Sequence, residues 1–114
     1  MRLEGRCVLL RVFIGESDHY GGKPLYQAIL EKARALGLSG GTVFKGMLGF
    51  GAHSKIHTAK ILRLSEDLPV VVEIVDTEKN IEKILPFLDA AIKEGLITKE
   101  VANVVFYRPD GPKG

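Results

Sequence analysis

The sequence predicts an α+β domain in which a four-stranded antiparallel sheet carries two helices on one face. Two observations favour this class: four segments are rich in apolar and β-branched residues, and two others repeat apolar residues every three or four positions. Along the chain these segments follow the order βαββαβ. With 114 residues the chain has the length of one domain, and we assign 1–114 to a single domain with its core at about 6–108.

Four strands are expected, each an apolar run bounded by turn residues. The first covers residues 7–14 and the second covers 42–48, where it runs into a glycine-rich corner. A polar, basic segment with an expected hairpin arm at 60–64 follows, and the third strand covers 70–75. The last strand is expected at 101–107.

Two amphipathic helices separate these strands. The first begins at Pro24, where the missing N–H is tolerated, and ends at Gly37, which can adopt a left-handed cap. The second covers 78–93, with Thr77 as its N-terminal cap and Gly95 as its stop signal. Two βαβ halves of this kind predict a ferredoxin-like sheet with both helices on one face.

The face without helices is expected to be apolar. Alternation in the first strand places Leu9 and Phe13 on one side with Arg11, and the opposite side is apolar too. An antiparallel sheet that faced water would show polar residues on one side. We therefore expect this face to pack against other copies of the chain, with Arg11 and Glu73 as an ion pair between adjacent strands.

Composition narrows the class of protein. The net charge of +2 is too small to argue for nucleic acid, and no apolar run reaches the roughly 18–20 residues of a membrane span. No secretory signal is apparent, so the expected location is cytoplasmic. The single cysteine, Cys7, lies in an apolar run and is expected to be buried and inert.

The middle of the chain is cationic and rich in glycine. No carboxylate occurs between Glu31 and Glu66, and this stretch contains Gly46, the Gly49–Phe50–Gly51 corner and Lys55. Glycine N–H groups beside a lysine suit a phosphate, although the same pattern is also typical of a mobile hairpin corner.

Three other patterns have alternative interpretations. His53 and His57 could share a metal on one helix face, but no third ligand is near in sequence, so contact with a ligand or solvent is favoured. The polar loop 16–19 contains an acid, a base and a hydroxyl, yet no nucleophile motif surrounds Ser17, which favours a turn and a helix cap. Arg108 could close on an anion bound between subunits, or be an ordinary surface arginine.

Several short motifs occur in order along the chain: GESD at 15–18, PLY at 24–26, GFG at 49–51 with IHT at 56–58, and LRLSEDLP at 62–69 followed by EIVD at 73–76. Together they resemble the PII-like branch of the nitrogen-regulatory PII superfamily. The resemblance covers about 8–108, nearly the whole chain. It implies a homotrimer packed through the open sheet faces, with adenine nucleotide bound in the clefts between subunits.

The resemblance also implies which residues meet the nucleotide and how the protein signals. By position, Thr42, Gly49, Gly51 and Arg108 match PII residues that meet the nucleotide. The glycine-rich corner and the basic segment after it add the other expected ligand-binding residues, Gly46, Phe50, His53, Ser54 and Lys55. The Gly-Asp-Gly-Lys phosphate pattern of PII proteins is absent, which favours AMP or ADP over ATP with magnesium. The segment 52–68 would be a mobile loop that contacts a membrane transporter, a channel or an enzyme.

No catalytic residue or cofactor is implied, beyond the nucleotide as ligand, and no metal site is assigned. Two other functions remain open. The chain could be a small enzyme for a phosphorylated metabolite, with His53 or His57 as general acid or base. It could also be a metal-binding trimer in which the same histidines are ligands.

Overall fold

The computed structural model describes residues 3–50, 57–58 and 67–110. The elements of the main sheet and its helices are β1 (Gly5–Gly15), α1 (Leu25–Ala35), β2 (Thr42–Lys45), β3 (Pro69–Asp76), α2 (Glu78–Ala91) and β4 (Leu96–Val104). The strand order in space is β2-β3-β1-β4, and each neighbouring pair is antiparallel. The expected α+β class and the ferredoxin-like βαββαβ order are confirmed. Within the described ranges, neither helix is long and apolar enough to cross a membrane.

The core lies between one face of the sheet and the two helices. Alternate side chains of β1 and β3 point into it, because successive residues of a strand face opposite sides. Leu10 lies opposite Ile74 and Val12 opposite Val72, and all four are buried. Burial of such a side chain stabilises the fold by roughly 1.5–3 kcal/mol. The helices supply Leu25, Ile29 and Ala33 from α1 and Ile81, Ile84 and Leu88 from α2.

The first helix ends as its sequence predicts. Gly37 has a φ of 80°, and its N–H donates to the Arg34 carbonyl at 3.0 Å. Leu38 N–H donates to the Ala33 carbonyl at 3.0 Å, so the left-handed glycine reverses the chain while the last carbonyls stay paired. At the other end, Pro24 is the N-cap residue itself and not the first helical residue.

The second helix begins at its predicted cap and ends early. The Thr77 hydroxyl accepts from the Asn80 N–H at 3.2 Å. The prediction extended the helix to residue 93 with Gly95 as the stop, but α2 ends at Ala91. A Cβ on Gly95 would lie 2.7 Å from the Phe13 carbonyl oxygen. Gly95 is therefore required for close packing against β1 and has no left-handed conformation.

The last strand departs most from expectation. The prediction placed it at 101–107, whereas β4 runs from Leu96, opposite Phe13, to Val104, opposite Gly5. Most of its residues are exposed, so its first half lacks the apolar run that marks a buried strand. It forms because β1 offers a long edge for pairing. Lys99, expected before the strand, lies within it.

The second expected strand is interrupted. β2 stops at Lys45, and the Gly46 N–H then donates to the Pro69 carbonyl at 2.7 Å. Beyond this point Leu48–Gly49 pairs with His57–Thr58 as a separate two-residue ladder. The arm expected at 60–64 lies outside the described residues.

Candidate functional site

Gly46 and Gly49, two of the candidate ligand-binding residues, pack against Pro69. A Cβ would lie 2.7 Å from the Pro69 Cγ at Gly46 and 2.9 Å from it at Gly49. Neither glycine has a positive φ, so a left-handed backbone is not the reason for glycine at these two positions. Glycine is needed because the backbone at both positions lies directly against the Pro69 ring. Their contact with a ligand stays a prediction.

The corner also carries large exposed apolar side chains. Met47 is 75% exposed, Leu48 is 66% exposed and Phe50 is 73% exposed. Three such groups in four residues are unusual on a protein surface unless they meet another molecule. Phe50 is thus accessible to a flat ring or to a partner protein.

The described basic residues of the cationic stretch between Glu31 and Glu66 do not form one positive surface. Among its described members, Lys45 pairs with Glu16 at 2.7 Å. Lys32 lies over the Phe87 ring, 5.8 Å from its centroid. Arg34 lines a separate groove of about 340 Å³ beside the turn after α1. These three described charges therefore lie in three different surroundings.

Thr42 begins β2 and lies opposite Glu73 on the face without helices. It is exposed, so its hydroxyl is available to a ligand. The turn before it, Ser39–Gly40–Gly41, forms one wall of the groove that Arg34 lines. A Cβ on Gly41 would lie 2.6 Å from the Leu30 Cδ2, which explains why the turn can pack so closely onto α1.

Asp76 holds this turn in place, a role that sequence reasoning missed. The carboxylate is completely buried and accepts from the Ser39 N–H at 2.7 Å. Its other oxygen accepts from the Thr77 N–H at 2.7 Å and from the Asn80 Nδ2 at 2.9 Å. The Ser39 hydroxyl in turn donates to the Val75 carbonyl. A single carboxylate at the end of an apolar strand, directly before a helix cap, was the signal available in the sequence.

Arg108 lies far from the corner at Gly46. It follows β4 by four residues, and its guanidinium lies 4.2 Å from the centroid of the Phe106 ring. The neighbouring Tyr107 hydroxyl donates to the Ser39 carbonyl at 3.1 Å. Arg108 is therefore near the Asp76 end of β3, whereas the corner is beside Pro69 at the opposite end. One chain does not bring the two together.

The helix-free face of the sheet is apolar apart from a central charged cluster. Phe13, Phe44 and Leu96 are exposed on it to between 36% and 57%. The predicted ion pair is confirmed, because the Arg11 Nε donates to the Glu73 Oε2 at 2.9 Å.

A second carboxylate joins this pair. The Arg11 Nη1 donates to the Glu100 Oε1 at 2.7 Å, an interaction that the misplaced last strand concealed at the sequence level. The pKa of Arg11 is raised, chiefly by its hydrogen bond to Glu73.

The polar loop before α1 is structural. The Asp18 carboxylate accepts from the Gly15 N–H at 3.0 Å, and the Asp67 carboxylate accepts from the Ser17 N–H at 2.7 Å. His19–Tyr20 pairs with Lys23–Pro24. The turn interpretation is confirmed, whereas no side chain caps α1.

Other sequence expectations are tested only in part. Cys7 is buried, as predicted. Gly51, His53, Ser54 and Lys55 lie outside the described residues, and their roles stay predictions.

Two relatives in sequence are similar over nearly their full length. A UPF0166 protein from Aquifex aeolicus is 41% identical over 98 residues, covering 86% of this chain and 92% of the relative. A UPF0166 protein from Methanocaldococcus jannaschii is 40% identical over 93 residues, covering 81% and 85%.

Solved structures share the fold at low sequence identity. A PII-like signalling protein from Thermus thermophilus superposes with a TM-score of 0.63 at 19% identity, covering 92% of this chain and 94% of that one. CPII from Thiomonas intermedia K12, a nitrogen regulatory PII-like protein bound to ADP, AMP and bicarbonate, gives a TM-score of 0.57 at 16% identity, covering 87% and 88%.

The profile of the DUF190 family, described as uncharacterized ACR, matches residues 7–104. The match spans both helices, the three later sheet strands and β1 from Cys7 onward. The chain belongs to the DUF190 (UPF0166) family and has the PII-like fold.

Proposed function

We propose that this protein is a PII-like regulatory protein that binds an adenine nucleotide, AMP or ADP, between the subunits of a homotrimer. The observation that carries the proposal is the separation of its candidate residues. The corner at Gly46 contacts Pro69, and Arg108 lies near Asp76. Seven residue steps along β3 separate these two ends, roughly 24 Å at about 3.4 Å per residue. A single mononucleotide does not span that distance, so a shared site needs two copies of the chain.

A closed ring of three chains supplies the second copy. In a cyclic assembly each subunit presents two different surfaces, and one end of a chain meets the other end of its neighbour. The apolar face around Phe13, Phe44 and Leu96 supports such an assembly, because a large exposed apolar patch is typical of a protein interface.

The comparison with CPII supports the class of ligand. That protein binds ADP, AMP and bicarbonate, and its fold is shared by this chain. The region before the last strand lacks the Gly-Asp-Gly-Lys pattern of PII proteins, which supports a mono- or diphosphate over a triphosphate with magnesium. Bicarbonate is accordingly a second ligand worth testing.

We assign three of the candidates a role in this cleft. Arg108 pairs with phosphate oxygens, and its position over Phe106 limits the conformations of its guanidinium. Phe50 comes from the neighbouring chain and contacts the nucleoside. The Thr42 hydroxyl follows the turn that Tyr107 contacts, so it lies on the Arg108 side of the cleft and contacts the nucleotide from there. Ligand binding then shifts the population of conformations of the segment 52–68, which changes its contact with a transporter, a channel or an enzyme.

Calorimetric titration tests this function. The purified protein, sized by light scattering, is titrated with AMP, ADP and ATP, each with and without magnesium and with and without bicarbonate. We expect saturation near one nucleotide per chain, with AMP or ADP bound more tightly than ATP. The nucleotide recovered afterwards is analysed by chromatography and is expected to be unchanged.

Matched variants assign the binding to the proposed cleft. Arg108→Ala and Phe50→Asp are each expected to weaken nucleotide binding at least tenfold, the second by replacing the aromatic ring that contacts the nucleoside with a charged carboxylate. Lys83→Ala removes an exposed positive charge from α2 and is expected to bind as the unmodified protein does. A well-folded trimer that binds no nucleotide contradicts the proposal, and turnover of the nucleotide favours the enzyme alternative.

A further inference from the structure

The charged cluster on the helix-free face has an excess of negative charge. Strand alternation and the pairing register show that, among the described sheet residues, this face carries three ionisable side chains that are charged at neutral pH. They are one guanidinium, Arg11, and two carboxylates, Glu73 and Glu100. All other described positions of β1, β3, β2 and β4 on this face are apolar, threonine or glycine. The net charge of the cluster is therefore −1 for each chain.

Water solvates this excess charge in the isolated chain. The side chains are 35% exposed at Arg11, 31% at Glu73 and 58% at Glu100. Glu100 uses one oxygen for the guanidinium at 2.7 Å, and its exposed surface is large enough for water to reach the rest of the carboxylate. The unpaired negative charge therefore costs little free energy while the face is open to solvent.

The cost of the excess charge rises when other copies of the chain cover the face and exclude water from it. Each copy brings the same three groups, so the described sheet residues of a trimer contribute two carboxylates for every guanidinium to the covered faces. Burial in a low-dielectric interface penalises an unpaired charge strongly. When two carboxyl groups share one site, repulsion between their negative charges raises the pKa of one of them.

We propose that the cluster of Glu73, Arg11 and Glu100 takes up protons when the helix-free face is covered, so that the chains assemble more tightly as the pH falls. The proposal rests on the homotrimer proposed above and adds a pH-dependent control of its stability. Glu100 is the principal proton acceptor, because Glu73 lies directly opposite Arg11 in the register and Glu100 is displaced from it, opposite Leu9.

Proton linkage makes the prediction quantitative. If each chain binds one proton on assembly, the trimer association constant rises up to about a thousandfold for each pH unit lost, and uptake of a single proton per trimer gives about tenfold. The effect is expected between about pH 8 and pH 5, above the ordinary pKa of a glutamate at about 4.3.

Sedimentation equilibrium of the full chain at pH 8, 7, 6 and 5 tests the proposal. Urea is added at one fixed concentration that brings dissociation into the measurable range. We expect the unmodified protein to associate at least tenfold more tightly per pH unit over part of this range. Glu100→Gln leaves a one-to-one ion pair, so its association is expected to be tighter than that of the unmodified protein at pH 8 and nearly independent of pH.

The control and the contrary outcomes separate this proposal from the trimer itself. Glu82→Gln changes an exposed carboxylate on α2 and should keep the pH dependence of the unmodified protein. A trimer whose association does not change with pH, or depends at constant pH on an added divalent cation, overturns proton uptake and leaves the trimer standing. A monomer at every pH and concentration overturns the proposed trimer instead.

Discussion

Replacement of Asp76 by alanine tests how the fold holds the turn that precedes Thr42. The side chain is completely buried, so water does not simply take its place as an acceptor. Three donors lose their acceptor: the N–H groups of Ser39 and Thr77 and the Asn80 amide. We expect both the turn after α1 and the start of α2 to lose stability.

The magnitude follows from the hydrogen bonds. A bond to a charged group contributes about 1.5–3 kcal/mol, and a buried donor left unpaired costs about 1–3 kcal/mol. Some donors to Asp76 are only partly buried, so water compensates a share of the loss. We expect a decrease of about 3–5 kcal/mol in the free energy of unfolding. For a domain of this size this corresponds to a fall of roughly 10–30 °C in Tm.

Guanidinium unfolding followed by circular dichroism at a fixed protein concentration measures the change. Asp89→Ala serves as the control, because Asp89 is exposed on α2 and its loss should alter stability by less than about 0.5 kcal/mol. The free energy of unfolding of Asp76→Asn should lie between those of Asp76→Ala and Asp89→Ala. The amide keeps one acceptor oxygen, but its NH2 group faces a donor that the carboxylate had paired. A loss below about 1 kcal/mol for Asp76→Ala would refute the role assigned to this carboxylate.

Three further changes probe other parts of the structure. Gly46→Ala should lower the free energy of unfolding by about 1–3 kcal/mol, because its Cβ would lie 2.7 Å from the Pro69 Cγ; an unchanged midpoint of urea unfolding contradicts this packing. Ile84→Ala, at a side chain with no exposed surface, should cost about 2–5 kcal/mol in the same assay, and a cost below about 1 kcal/mol would place it outside the core. The Lys23 ammonium lowers the pKa of Glu31 below its ordinary 4.5, so the stabilisation from this pair is present above that value and is lost as the pH falls through the lowered pKa. The difference in Tm between Glu31→Gln and the unmodified protein should therefore shrink below about pH 4, and a difference that is constant with pH contradicts the pairing.

Elements that are apolar on both sides or have explicit caps were predictable from the sequence. β1 and β3 are apolar runs, and Thr77 and Gly37 act at their helix ends as expected. The ion pair of Arg11 was predictable as well, because adjacency of two central strands follows from the fold class.

Edge elements were harder to predict, because tertiary pairing and not local pattern determines them. β4 begins at Leu96, and its first half is exposed and largely polar, so periodicity marks only its second half. That error concealed Glu100 as a partner of Arg11. The sequence marked the glycines at the corner but did not show why glycine is needed there. The reason is contact with Pro69, which lies far along the chain and is brought close only by the fold.

The candidate site was predictable as a set of residues but not as an arrangement. The sequence grouped Thr42, the corner and Arg108 through their resemblance to PII-like proteins. The structure separates Arg108 from the corner along the length of β3. This separation is what makes a site between two subunits the central claim.

Mixed trimers test that claim most directly. Arg108→Ala and Phe50→Asp chains, each defective in nucleotide binding alone, are unfolded together in equal amounts, refolded and sized, and then titrated with AMP and ADP. If each site takes Arg108 from one chain and Phe50 from its neighbour, random cyclic mixing restores about a quarter of the sites, with the affinity of the unmodified protein. Absence of any restored binding in well-formed mixed trimers would contradict a nucleotide site shared between subunits.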